Sequence, residues 1–378
     1  MSDEFVLNTK LGIDSDDRKI MNLLQADPEM THVEIAKQVH KSQPAIGARI
    51  LKLERKGLLE MQYGINLKEN RFTMLLASLH AKYPNELLKD LDVCPFVVQS
   101  FKTTGQKNIA TWMIGTDLDR METIVERHFR SNPNVNFLGV SVAIEPIKKM
   151  ILPLNFAFEG HNKFKCSKEC HNLVLKAIEN GEGYQPVDPD KSILNKKYGL
   201  NNDDKRIIMF LENNPTMTHS AIGDEIGKSQ PAIGSKISKL KARNFLGLQK
   251  GVNFKKVDQL HLVQVSISAL DNNEVLNRLN QCPFIINGFR TSGGEHSLVV
   301  YVSGHSLEKI DDIIDYCIRS DENVRDIRTK IILKISKDLI LPYNFGHDFM
   351  EDIGCFECQR CNDKVAQQVL DSLKEEST

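Results

Sequence analysis

Apolar residues recur with the period of a helix in three short segments near the N-terminus. Ile20 and Leu24 lie on one face behind residues 14–17, a polar and acidic run of the kind favoured at a helix N-terminus. Thr31 and Ser42 precede the second and third apolar patterns as N-cap residues. The spacing therefore predicts three consecutive short helices.

The pattern then changes from helical to alternating. Residues 58–67 predict a short two-stranded wing, which with the three helices makes a winged helix-turn-helix. Beyond the wing, the order strand, helix, strand, strand, helix, strand is that of a ferredoxin-like βαββαβ module. One face of such a sheet is covered by helices, so the other face must be buried by a partner or left open to a ligand. The predicted strands are 72–79, 96–103, 108–114 and 135–144, and the predicted helices are 85–91 and 118–129.

The chain contains this whole pattern twice. The sequence SQPAIG at 42–47 returns unchanged at 229–234, and CPF at 94–96 returns at 282–284. Each copy is long enough to bury its own core, so the repeat indicates a duplicated module. The predicted fold class is α+β: a tandem duplication of a winged helix-turn-helix followed by a ferredoxin-like βαββαβ module, each copy ending in a Cys-containing tail. The predicted units are winged helix-turn-helix 1 (1–70), ferredoxin-like module 1 (71–150), tail 1 (151–185), a linker (186–200), winged helix-turn-helix 2 (201–256), ferredoxin-like module 2 (257–338) and tail 2 (339–378).

Composition places the chain among ordinary globular proteins. It has 378 residues, 41% hydrophobic and 26% charged, with a net charge of −1. No apolar run approaches the length of a membrane helix, and the N-terminus is acidic where a signal peptide would be basic, so we expect a cytoplasmic protein without a membrane partner. In that reducing compartment the 8 cysteines favour metal or redox chemistry over disulfides.

The third helix of each copy has the chemistry expected for reading double-stranded DNA. Residues 41–56 hold five basic residues against one acid, and residues 228–243 hold five against none. The amide of Gln43 suits adenine, and Ala45 and Ala48 suit thymine methyl groups. Flanking cations suit phosphates. The predicted DNA contacts are Lys41, Ser42, Gln43, Pro44, Ala45, Ala48, Arg49 and Lys52, with Lys228, Ser229, Gln230, Pro231, Ala232, Ser235, Lys236 and Lys239 in the second copy.

Two tails rich in cysteine and histidine follow the sheet modules. Cysteine thiolates and imidazoles within a few residues of one another suit a tetrahedral zinc ion. The C-x2-C-x2-C run of the second tail also resembles an iron–sulfur ligand string, without the usual continuation, so that cluster is the less favoured reading. Plain reduced thiols are the alternative. The predicted ligands are His347, Cys355, Cys358 and Cys361 in the second tail and His161, Cys166, Cys170 and His171 in the first.

The chain, taken as two fused copies, resembles the Lrp/AsnC, or feast/famine, family of transcription regulators over about three quarters of its length. The resemblance lies in the pattern from Ile13 through Leu24, in Glu34-Ile35-Ala36, and in Ser42 through Leu58, followed by the βαββαβ module. It implies dimers formed by pairing of the sheet modules, DNA binding by the third helix, and a small-molecule effector whose identity stays open here. The fusion in tandem, the tails and the absence of a Gly-x-x-Asp loop depart from the family pattern.

These features predict a sequence-specific transcription regulator that acts as a single-chain pseudo-dimer on an inverted-repeat site, and not an enzyme. Further association of chains stays open. One alternative is a metal- or redox-responsive regulator. The other is a tetrapyrrole enzyme, since siroheme decarboxylases resemble the same two-module unit. Such an enzyme would need histidines and cations that converge in the sheet module. The histidine candidates there are His80, His128, His261, His296 and His305.

Overall fold

The computed structural model describes residues 6–69, 72–159, 188–282, 284–343 and 345. Local hydrogen bonds explain where the N-terminal helices begin. The Asp14 carboxylate accepts from the Asp17 amide, and the Asp17 carboxylate accepts from the Asp14 amide. Thr31 and Glu34 form the same reciprocal pair of hydrogen bonds at the start of the next helix. The Ser42 hydroxyl accepts from the Ala45 amide at 3.4 Å. The helices are α1 (Val6–Leu11), α2 (Ser15–Ala26), α3 (His32–Val39) and α4 (Gln43–Arg55).

The second half repeats these four helices in the same order. The helix at 193–198 falls within the segment predicted as a linker, and it matches α1 at the same offset of 187 as the helix-turn-helix. Leu194 is fully buried, and the Lys197 ammonium donates to the Thr116 carbonyl at 2.8 Å. The predicted linker segment thus includes packed structure. The helices are α7 (Ile193–Tyr198), α8 (Asn202–Asn213), α9 (His219–Ile226) and α10 (Gln230–Ala242).

Single strands from the two halves meet behind the helices. The prediction of a two-stranded wing at 58–67 is wrong, because this segment forms one strand, β1 (Glu60–Asn66). Its partner is β7 (Gly247–Asn253) of the other half, in antiparallel register with Gln62 opposite Gln249. Two short strands, β6 (Ile151–Leu152) and β12 (Ile340–Leu341), complete a four-stranded sheet in the order β12-β7-β1-β6.

The two sheet modules close on each other as one barrel. Each module has the strand order of a ferredoxin-like sheet, and β11 pairs with β3 while β5 pairs with β9. The eight strands thereby leave no free edge. The first module comprises β2 (Thr73–Ala81), α5 (Pro84–Val93), β3 (Val97–Thr103), β4 (Ile109–Gly115), α6 (Leu118–Val125) and β5 (Val135–Pro146). The second comprises β8 (His261–Ala269), α11 (Asn272–Gln281), β9 (Ile285–Ser292), β10 (Leu298–Gly304), α12 (Leu307–Ile314) and β11 (Val324–Ile335).

Four aromatic rings fill the barrel where the modules meet. Trp112 and Tyr301 lie at matching positions of the two halves, as do Phe101 and Phe289, and neighbouring ring centroids are 5.1–5.7 Å apart. The Trp112 indole donates to the Tyr301 hydroxyl at 2.7 Å, so its buried N–H is satisfied. Burial raises the pKa of Tyr301 well above its ordinary value. The modules therefore share an aromatic cluster inside the barrel.

Each module ends by docking onto the helices of the opposite half. The Leu154 amide donates to the Glu212 carboxylate of α8 at 3.0 Å, and the Tyr343 amide donates to Gln25 of α2. Glu159, buried at the end of the first half, forms a buried ion pair with Lys205 of α8. These crossed contacts tie the barrel to both helix-turn-helix units.

The remaining expectations concern membranes and cysteines. In the described part of the chain no helix is long and apolar enough to cross a membrane. Cys94, Cys282 and Cys317 are buried, as small apolar residues are, and burial raises the pKa of the Cys94 thiol to about 11.

Candidate nucleic-acid interface

The first turn of α4 presents polar and small side chains to solvent. Ile46, Ile50 and Leu53 are buried against the other helices, which turns the opposite face outward. Gln43 and Pro44 at the N-terminus of the helix are exposed, and so is Ala48 one turn later. This face has the dimensions and chemistry of a helix that enters a major groove with its first turns.

The first turn of α10 repeats this arrangement. Gln230 and Pro231 are exposed, and Ser235 is exposed at the place of Ala48. One difference lies at the cap, since Ser229 makes no side-chain hydrogen bond to the helix whereas Ser42 does. The chain thus holds two outward-facing helices whose first turns have the same sequence.

A histidine packs against a glycine of each of these helices. A Cβ atom at Gly47 would lie 3.6 Å from Nδ1 of His32, and one at Gly234 would lie 3.4 Å from Nδ1 of His219. The imidazoles therefore lie directly over the backbone of α4 and α10. The contact between the second and third helices of the helix-turn-helix is thus made in the same way in both halves.

The cation of Arg49 is held by acids of α2. Its guanidinium donates to Asp14 at 2.7 Å and to Asp17 at 2.6 Å, and Asp17 is fully buried. Burial favours the neutral carboxyl of Asp14, but hydrogen bonds from the Asp17 amide and from Arg49 outweigh it and hold its pKa below the ordinary value. Arg49 thus fastens α4 to the start of α2, a role that the sequence of α4 alone does not reveal.

The second half has the equivalent ion pairs, with a lysine in place of the arginine. The Lys236 ammonium lies 2.9 Å from Asp204 and 3.8 Å from Asp203. At the helix start, Lys228 lies 4.0 Å from Asp203, as Lys41 lies 3.2 Å from Asp16. Most cations predicted to contact phosphates are therefore paired with carboxylates in this structure. The acids that pair with them were visible in the sequence only as helix-capping residues.

Lys52 and Lys239 occupy equivalent places but differ in their contacts. The Lys52 ammonium lies 3.0 Å from Asp17, with its side chain 46% exposed. Lys239 is exposed and makes no ion pair or side-chain hydrogen bond within the described residues. Lys239 is thus the predicted phosphate ligand whose charge is least compensated.

The predicted metal ligands cannot be placed. Both sets lie outside the described residues, which end at Glu159 in the first half and at Phe345 in the second. Among the residues that are described, no three His, Cys, Asp or Glu side chains form a group able to hold a metal ion. The predicted ligands outside the described residues are His161, Cys166, Cys170, His171, His347, Cys355, Cys358 and Cys361.

A concave feature lies in the barrel. A cavity of about 650 Å³ opens between the loop that follows β3 and the loop that follows β9. Trp112 and Tyr301 line it, together with Lys107, Lys330 and His296. Of the five histidines considered for an enzyme, His296 is the one at this cavity.

A helix-turn-helix with an exposed, polar third helix is typical of DNA-binding proteins. Residues 13–54 match the AsnC-type helix-turn-helix domain. An uncharacterised HTH-type transcriptional regulator of Pyrococcus horikoshii is 28% identical over 149 residues, which cover 36% of this chain and 90% of that protein. The HTH-type transcriptional regulator LysM of Saccharolobus solfataricus is 26% identical over 118 residues, or 30% of this chain and 82% of that protein. The N-terminal region is therefore similar to transcription regulators with an AsnC-type helix-turn-helix.

A solved structure shares most of the chain's length. The siroheme decarboxylase NirDL covers 89% of this chain and 96% of its own, at 13% identity and a TM-score of 0.47.

Proposed function

We propose that this chain is a sequence-specific transcription regulator whose two helix-turn-helix units bind the two halves of one inverted repeat. The observation that carries the proposal is that one chain holds two helices, α4 and α10, whose first turns are identical and exposed; these are its reading helices. The β1–β7 pairing and the closed barrel join their two halves, as the subunits of a dimer would be joined. Two equal DNA-binding helices related in this way favour two equal, inverted half-sites.

Within this proposal the residues of the reading helices divide into two groups. Gln43 and Gln230 contact bases, because they are exposed on the first turn and their amides can pair with adenine. Lys239 contacts the phosphate backbone. Arg49 and Lys236 hold their helices in place through their carboxylate partners. They contact phosphates only through N–H groups that those carboxylates do not occupy.

Selection of bound duplexes from a random library tests the proposal. The expected product is an inverted repeat with one preferred base pattern in each half-site. Replacing Gln43 and Gln230 by Ala should cost roughly 1 to 3 kcal/mol per half-site and relax the preference at one base pair. Replacing Lys239 by Gln should weaken all duplexes alike and reduce the slope of affinity against salt.

A matched control is Lys89→Gln, which removes an exposed lysine from α5 of the sheet module. It should leave affinity and salt dependence unchanged. If the glutamine variants bound every duplex as the unmodified chain does, the base-reading role would be refuted.

The proposal also includes a metal ion bound by the cysteine-containing tails. Three thiols within seven residues, Cys355, Cys358 and Cys361, can converge on one ion, and His347 supplies a fourth donor for zinc. The first tail offers fewer thiols, and weaker binding is expected there. Elemental analysis of untagged protein tests both sites.

A second candidate function rests on the barrel cavity. His296 and the cations Lys107, Lys330 and Arg328 converge there, as a tetrapyrrole enzyme would require for carboxylates and proton transfer. A haem-type absorption band in the purified protein, or after addition of an iron porphyrin, would favour this function. Its absence together with selective DNA binding would favour the regulator.

A further inference from the structure

The two reading helices present different side chains on the face that points away from the protein. Ile46, Ile50 and Leu53 are buried along one side of α4, and the equivalent residues of α10 are buried as well. At about 3.6 residues per turn, the opposite side of α4 begins at Pro44 and continues at every third or fourth residue. All residues of this outer face are exposed. They are Pro44, Ala48, Leu51 and Arg55 in α4 and Pro231, Ser235, Ser238 and Ala242 in α10.

Both helices pack in the same way on the helix that precedes them, so their outer faces can be compared position by position. His32 packs against Gly47 of α4, with its Nδ1 3.6 Å from the place that a Cβ would take. In the second half His219 packs against Gly234 of α10 at 3.4 Å. The ion pairs that join α4 to α2 and α10 to α8 are also equivalent. The two reading helices therefore differ in the side chains that they present and not in their packing.

The outer face of α4 is apolar in its middle. Ala48 exposes its methyl group, and the side chain of Leu51 is large, apolar and 47% exposed. In the major groove of DNA, the apolar group that a base pair presents is the 5-methyl group of thymine. Ala48 and Leu51 therefore suit base pairs that place a thymine methyl group against this face.

The outer face of α10 carries hydroxyl groups at the same two positions. The Ser235 hydroxyl is exposed and makes no hydrogen bond within the described residues. The Ser238 hydroxyl donates to the Gly234 carbonyl at 3.0 Å, which leaves its oxygen as an acceptor. Serine hydroxyls suit the polar groups of base edges and gain little from a methyl group. The two reading helices therefore favour different bases at equivalent places.

The outer faces extend beyond the base pairs that the first turns contact. Gln43 and Gln230 begin identical first turns, so these turns favour the same bases in both halves. The rise along α4 from Pro44 to Leu51 is about 10 Å, or about three base-pair steps of about 3.4 Å. One turn further, the exposed guanidinium of Arg55 suits a phosphate, which carries no base preference.

We propose that the two half-sites of the bound DNA are not identical and that the chain binds its site in one orientation. Ala48 and Leu51 give the half-site under α4 a preference for thymine, and Ser235 and Ser238 remove that preference from the half-site under α10. The half-sites share the base pairs that the first turns contact and differ at the next ones. This inference rests on the proposed function, because it takes α4 and α10 as DNA-binding helices.

The duplication within one chain makes this distinction possible. Two identical subunits present the same side chains to both half-sites, and a symmetric site then fits them best. In a single chain the two copies carry different residues at positions 48 and 235 and at positions 51 and 238. The fused chain can therefore bind an asymmetric site.

The experiment selects bound duplexes from a random library with the full chain and then removes single methyl groups. Thymine should be enriched in one half-site, next to the base pairs that both half-sites share, and not at the equivalent position of the other. A duplex with thymine at this position in both half-sites is then compared with duplexes that carry uracil in one of them, since uracil lacks only the methyl group. Uracil should weaken binding about fourfold in one half-site and leave affinity unchanged in the other.

Exchanging the outer-face residues assigns each half-site to its helix. Ser235→Ala/Ser238→Leu should extend the thymine preference to the second half-site, so that the selected site becomes symmetric. Ala48→Ser/Leu51→Ser should remove the preference from the first half-site, and uracil should then have no effect in either. These four positions are exposed, so thermal unfolding should stay unchanged in both variants.

The matched control is Val33→Ser, which replaces an exposed apolar residue of α3 by the serine that the second half has at position 220. It should leave the selected base pattern unchanged. A symmetric site selected by the unmodified chain, or equal effects of uracil in the two half-sites, would overturn the inference and leave the proposed function standing. Selection of no preferred duplex at all would contradict the proposed function and this inference with it.

Discussion

A half-buried carboxyl in one half and an amide at the equivalent place in the other give a test of the crossed docking. Glu212 of α8 accepts the Leu154 amide at 3.0 Å, and Gln25 of α2 accepts the Tyr343 amide in the same way. Burial raises the pKa of Glu212 well above its ordinary value, and the Leu154 bond offsets this only in part. No cation pairs with Glu212 in the part of the chain described.

Replacing Glu212 by Gln should stabilise the protein at neutral pH. The amide oxygen keeps the bond from Leu154, and its NH2 group can donate to the Ile208 carbonyl, as Gln25 donates to the Met21 carbonyl at 3.2 Å. Ionising an unpaired carboxyl in this setting costs about 1 to 3 kcal/mol. The free energy of unfolding should rise by about that amount at pH 8.

The sign of the pH dependence follows from the raised pKa. Below the ordinary value of 4.5 the carboxyl is neutral in both the folded and the unfolded chain, so Glu212→Gln should bring little gain there. As the pH rises above 4.5, the unfolded chain ionises first and the folded protein loses stability relative to it. The advantage of the variant should therefore grow from pH 4 to pH 8.

Urea unfolding at pH 4, 6 and 8, followed by circular dichroism, measures this. Glu225→Gln, at an exposed position of α9, is the matched control and should change little at any pH. The reverse change, Gln25→Glu, should lose stability with the opposite pH trend. A gain for Glu212→Gln that is as large at pH 4 as at pH 8 would refute the reasoning, because it would not arise from ionisation.

Three further outcomes follow from the reading helices and the tails. His40 has a left-handed backbone with φ of 56° where the second half has Gly227 with φ of 73°, so His40→Gly should raise stability by about 0.5 to 1 kcal/mol in thermal unfolding, and a loss would contradict this. Lys236→Met should lower stability because it leaves Asp204 unpaired, whereas Lys239→Met should leave unfolding unchanged and weaken DNA binding; matching effects of the two would show that the ion pair has no structural role. Zinc content near one ion per second tail should be lost in Cys358→Ser/Cys361→Ser protein with the helix-turn-helix still folded, and a metal content near zero in both proteins would exclude that site.

Local signals in the sequence were sufficient for most elements of the fold. Thr31 and Ser42 cap helices where expected, and Ile46, Ile50 and Leu53 are buried as their spacing indicates. Each of these features depends on residues close together in the chain. The order of strands and helices along the chain in both sheet modules is also predicted by local periodicity.

Features that depend on distant residues were not predictable in the same way. The strand β1 pairs with β7 nearly 190 residues away, and nothing within 58–67 distinguishes that partner from a local one. The pairing of Arg49 with Asp14 and Asp17 required knowledge of how α4 crosses α2. For the same reason the cations looked free for phosphates in the sequence, whereas most are paired with carboxylates in the folded chain.

The stoichiometry of one chain on its selected DNA tests the central claim most directly. Sedimentation of the full chain with a duplex that carries both half-sites should give one chain per duplex at stoichiometric protein. A duplex with one half-site scrambled should bind more weakly, because one of the two reading helices then loses its base contacts. Gln230→Ala and Gln43→Ala should then each lose the preference for one half-site while keeping the other. Two chains on each inverted repeat, or equal affinity for the intact and scrambled duplexes, would contradict the account.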